Sequence, residues 1–164
     1  MSNRVQIDKQ HPELADELRL CAEHARQAAL DAGLEHKTIE LVNVLVSMRN
    51  RCPSGIDVHV QRAIDAGESA QRLTVLSSWA ETTLFTDFER AVFTIAELIT
   101  ELPTKPVLDV AYAPAAQALN SEEMSAVAWV SIAMNTLNRV TRICGKAVTE
   151  RPDCQEESNG STDS

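Results

Sequence analysis

The segment Ile39-Glu40-Leu41-Val42-Asn43-Val44-Leu45-Val46 constrains this chain more than any other. Apolar side chains fall on nearly every side of the helix it would form, so that helix needs neighbours around most of its circumference. The three valines would also suit a strand. The apolar pattern, however, continues past eight residues to Met48, which favours a helix over about 38–50. A buried central helix demands a bundle around it, and the flanking sequence supplies one.

Pro12 stands in the first turn of a helix in which Leu14, Leu18, Cys21, Ala22, Ala25 and Ala29 recur at spacings of three and four. Gly33 closes it. Pro53 opens a helix to about Ala66, with Ile56, Val60, Ala63 and Ile64 on its core face, and a short helix covers about 69–77. Thr86-x-x-Glu89 is a capping box, in which the Thr oxygen and the Glu carboxylate satisfy opening N–H groups. The helix it starts buries Val92, Phe93, Ile95, Ala96 and Ile99. Pro103 and Pro106 lead to another, and Asn120 or Ser121 caps a last long helix ending near Gly145. With only five glycines and 4% aromatics, many-stranded β architectures are disfavoured. The expectation is an all-α chain of six to seven helices, one domain over 1–149, followed by an acidic disordered tail over 150–164.

The net charge is −9, of which the tail carries −4. That balance works against nucleic acid and against an anionic membrane surface, since both need clustered Lys and Arg. No stretch approaches the roughly 20 apolar residues of a spanning helix. Residues 1–10 are polar and lack the apolar centre of a signal peptide. The cysteines at 21, 52, 144 and 154 form no C-x-x-C pair and no zinc spacing, which predicts free thiols, a cytoplasmic setting, and neither metal nor cofactor. Cys21 is expected in the core; Cys144 and Cys154 are expected to be incidental.

Chemistry concentrates around one glycine. Gly55 falls in the first turn of a helix, where no chain reversal needs it. Cys52 stands at that helix's N-terminus, where unpaired N–H groups and the helix dipole favour a thiolate. His59 is one turn beyond Gly55 and two turns beyond Cys52, about 10 Å along the axis. Glu40 is a carboxylate within an apolar run and needs a partner there.

Glu40, Cys52 and His59, spaced by twelve and seven residues, resemble the E-(x)11-C-x-x-C-x-x-x-H signature of AhpD-like alkylhydroperoxidases of the carboxymuconolactone decarboxylase superfamily. The flanks "IELVNVLVSMRNRC", "HVQRAIDAGESAQRLTVLSSWAETTLFTDFERAVFTIAELIT" and "AWVSIAMNTLNRV" resemble the family too, over roughly 38–143. The second motif cysteine falls on Gly55. The resemblance implies a helical domain assembled as a trimer or hexamer. It also implies Glu40 and His59 as a proton relay and Cys52 as the surviving thiol of a hydroperoxide reductase served by an external thiol reductant. The alternatives are a decarboxylase-type lyase or isomerase, in which His59 and Glu40 work on a small carboxylate or lactone, and a non-catalytic ligand-binding protein. The space over Gly55 is a candidate small-ligand pocket. Trp79-Ala80-Glu81 is expected either at the site mouth or as a structural cap. Asn138 and Arg139 are candidates to brace a subunit contact or the glutamate.

Overall fold

The computed structural model describes residues 4–150. The expected tail, with Cys154, lies almost wholly outside them. Among the described residues there are eight α-helices and no strand: α1 (Ile7–Gln10), α2 (Pro12–Asp31), α3 (His36–Arg49), α4 (Pro53–Asp65), α5 (Ala70–Val75), α6 (Asp87–Glu101), α7 (Lys105–Ala118) and α8 (Ser121–Cys144). A 3-10 turn, Leu76–Glu81, continues α5. The all-α class is as expected. The count exceeds the six to seven expected because one-turn α1 carries no apolar repeat for a sequence reading to find. None of these helices is long and apolar enough to cross a membrane.

Helix α3 is the axis of the bundle. Ten consecutive residues, Thr38 to Ser47, are buried. They are enclosed by α4, α6 and α8, with the 3-10 turn over one end. Each fully buried Leu, Val or Ile is worth roughly 1.5–3 kcal/mol relative to exposure, so this one helix supplies much of the drive to fold. Phe93 of α6 receives Trp79 and Phe85 edge-on, at centroid distances of 5.7 and 5.2 Å.

Local signals act where the sequence places them. Thr86 and Glu89 form the reciprocal capping box of α6, and Asn120, not Ser121, caps α8 in the same way with Glu123. Gly145 ends α8 in the left-handed region at φ 67°, where a side chain would be strained.

Two core expectations are corrected. On α2 the residues turned inward are Ala15, Ala25 and Ala29, with Leu18 and Ala22 half-buried, while Leu14 and Cys21 are exposed. Leu14 and Cys21 each precede an inward position by one residue, which is about 100° round the helix. Small inward residues let α2 lie close to α8, and Cys21 is left outside, beside Leu20 and Trp129. On α4, Ala63 is buried but Ile64 is 44% exposed, again one position off the inward row.

Candidate functional site

Helices α3 and α4 run antiparallel through a tight connection. Asn50 ends α3, Arg51 takes up a left-handed conformation at φ 52°, and the Cys52 N–H bonds Ser47 O at 2.9 Å. Pro53 then fixes the first turn of α4. This hairpin sets Glu40 of α3 against His59 of α4. His59 Nδ1 lies 2.6 Å from Glu40 Oε2. The Glu40 side chain is 2% exposed and that of His59 12%. Burial alone would raise the Glu40 carboxyl, but the hydrogen bond and charge of His59, then Arg62 and a hydrogen bond with Asn43, outweigh it and hold the carboxyl below its ordinary value. An ionised carboxylate only accepts, so Nδ1 is the donor in this pair. The other ring nitrogen, Nε2, has no partner among the described residues.

His59 and Glu40 line a cleft of about 270 Å³ between α2, α3, α4 and α8. Its apolar wall includes Ile39, Val130, Met134 and Leu137; its polar members are Asn43, Glu23 and three arginines, Arg19, Arg26 and Arg62. A buried carboxylate holding a histidine by one nitrogen, with the other free at a cleft, is an arrangement for moving protons.

Cys52 does not line this cleft. It is the N-cap of α4 with extended backbone, so extrapolating the helix face back from His59 fails at this residue. The residue is fully buried, and its Sγ lies 3.9 Å from Ser54 Oγ. It borders a second cleft with Arg51, Arg142 and Lys146.

The space over Gly55 is filled. A Cβ built there would lie 2.6 Å from Asn138 Oδ1, 2.8 Å from Ser47 Oγ and 3.2 Å from Ser47 Cβ. Gly55 is therefore a point of close helix approach, and the expected ligand pocket over it is absent. Ser47 and Asn138 are themselves buried and hydrogen-bonded at 3.2–3.3 Å. Asn138 thus braces α3 against α8, not Glu40. Arg139 bonds Asn135 within α8. Trp79 is structural: its Nε1 donates to Glu97 Oε1 at 3.0 Å, and it does not border the cleft.

Arg62, Asn43 and Ser47 escaped the sequence reading. Arg62 lies three residues beyond His59 and Asn43 three beyond Glu40, so a search one turn from each candidate would have found both. Ser47 carried no comparable signal.

The sequence profile of the carboxymuconolactone decarboxylase (CMD) family matches residues 13–98, which include Glu40, Cys52 and His59. The chain belongs to that family. It is 26% identical over 151 residues to the uncharacterized protein YdfG of Bacillus subtilis (strain 168), covering 92% of this chain and all of that one. It also resembles the crystal structure of an Agrobacterium tumefaciens protein of unknown function, described as a candidate antioxidant defence protein AhpD. That similarity has a TM-score of 0.79 at 25% identity, over 91% of this chain and 100% of the other.

Proposed function

We propose that this family member is a proton-transfer enzyme, with His59 as general base and acid and Glu40 as the group that orients and charges it. The observation that carries the reading is the 2.6 Å His59–Glu40 bond at a cleft that leaves Nε2 free. Neutral His59 takes a proton at Nε2 from a carbon next to a carbonyl. The electron pair left behind moves into the enolate, and Glu40 stabilises the imidazolium formed. The same imidazolium returns the proton to the same or a neighbouring carbon, which gives exchange or isomerisation.

The test is deuterium uptake from D2O at the α-carbon of small lactones and 2-oxo acids, followed by NMR. Wild type and Cys52→Ser should exchange, and His59→Ala should lose at least about a hundredfold. Activity that survives in His59→Ala and vanishes in Cys52→Ser would reject the assignment.

One observation favours a second reading, a single-thiol hydroperoxide reductase within the AhpD-like group. Cys52 sits at the N-terminus of α4 and borders a second cleft with Arg51, Arg142 and Lys146. The thiolate would attack the peroxide oxygen, releasing alcohol and leaving a sulfenic acid, which an external thiol must reduce in two steps through a mixed disulfide. Gly55 leaves no room for an internal resolving thiol. Reaction of reduced protein with an organic hydroperoxide no faster than free cysteine, at matched pH, would remove this reading. In either case the trimer or hexamer is part of the proposal, supported by Trp129, which is 53% exposed beside Leu20 on the α2–α8 surface.

A further inference from the structure

We propose that the cleft takes a small organic anion with an apolar body, and that Arg62 is the residue that selects for its charge. This rests on the acid–base reading of the same cleft and names its substrate class.

Three arginines border the cleft, but two are already engaged. Arg19 pairs with Asp16 at 2.5 Å, and Arg26 with Glu23 at 3.2 Å while its Nη1 meets His36 Nε2 at 3.2 Å. Arg62 makes no hydrogen bond or ion pair with any described residue. It stands three residues after His59 on α4, on the same side of the helix, so its guanidinium and His59 Nε2 address one space. It also borders the adjoining cleft with Arg26 and His36, which places it at the junction of the two. Its charge is close enough to act on the Glu40 carboxylate.

The charge balance points the same way. Asp16 offsets Arg19, Glu23 offsets Arg26 and Glu40 holds His59, so the guanidinium of Arg62 is the cleft arginine left without an ion-pair partner among the described residues. A free guanidinium holds a carboxylate through two parallel N–H donors. The wall of Ile39, Val130, Met134 and Leu137 then suits a short hydrocarbon body. At about 270 Å³ the space falls below the usual range for drug-sized ligands, about 300–1,000 Å³, so the ligand is small. For the proposed chemistry, a carboxylate anchored on Arg62 fixes the distance between its own chain and Nε2, which a neutral ligand free to turn in the cleft would not.

The experiment uses hexanoate and its neutral isostere hexanamide with the full chain. Affinity is read by calorimetry and location by the imidazole C–H resonances of His59. Hexanoate should bind about tenfold tighter than hexanamide and shift the His59 resonances. Arg62→Gln should remove the preference while leaving hexanamide affinity unchanged, and Arg62→Lys should keep part of it. Equal binding of the two probes, a preference that survives Arg62→Gln, no binding of either at millimolar concentration, or binding that leaves His59 unmoved would each overturn the proposal. None of these readouts depends on turnover. Failure of the acid–base reading appears separately, as exchange activity that survives in His59→Ala.

Discussion

Replacing Gly55 by Ala tests the packing that separates this chain from a two-cysteine thiol enzyme. On helix propensity alone the change should help, by roughly 0.5–1 kcal/mol. The structure predicts the opposite. The new methyl would lie 2.6 Å from Asn138 Oδ1 and 2.8 Å from Ser47 Oγ, closer than side-chain carbons come to such atoms. Neither neighbour can swing into solvent, because Ser47 is 0% and Asn138 1% exposed. Overpacking of this kind costs about 1–3 kcal/mol. If the Ser47–Asn138 hydrogen bond parts, an unsatisfied buried group adds about 1–3 kcal/mol more. Set against the propensity gain, the net loss is up to about 2.5 kcal/mol if that hydrogen bond holds and about 1–5.5 kcal/mol if it parts. For a domain of this size each kcal/mol lowers Tm by about 2–4 °C. Urea unfolding of wild type, Gly55→Ala, Asn138→Ala and the double variant measures it. The double variant should be more stable than additivity predicts by at least about 1 kcal/mol, because removing Asn138 makes room for the methyl. A Gly55→Ala protein as stable as wild type, or additive losses, would refute the close-approach argument. The same reasoning predicts that Gly55→Cys destabilises rather than restores a working pair.

Two further outcomes follow from the site. Glu40 is held below its ordinary value, so its contribution to stability is complete above that value and is lost as pH falls through the lower folded one. The stability difference between wild type and Glu40→Gln, from urea unfolding, should therefore be largest above about pH 5 and shrink towards pH 3; a difference independent of pH would contradict the assignment. Brief alkylation of the native protein, mapped by mass spectrometry, should label exposed Cys21 well before buried Cys52 and Cys144. Cys52 labelled first would instead favour the single-thiol reading.

The sequence by itself determined the helical class, the buried central helix and the capping box of α6, while the relation of Glu40 to His59 came from the family resemblance of their spacing. These depend on local chemistry or on a fixed spacing: an all-round apolar helix must be enclosed, a Thr-x-x-Glu box closes on itself, and a matched motif carries its own geometry. Only the tertiary structure decided the rest. Cys21 lies outside because inward and outward positions on α2 differ by a single residue, and the partner helix α8 selects the row. Cys52 leaves the His59 cleft because a helix cap does not share the helix's periodicity. Gly55 reads in the sequence as a vacancy. In the fold it is the contact point of three helices, because what fills its space comes from Ser47 and Asn138, and a residue's neighbours from distant segments are not written in its own surroundings.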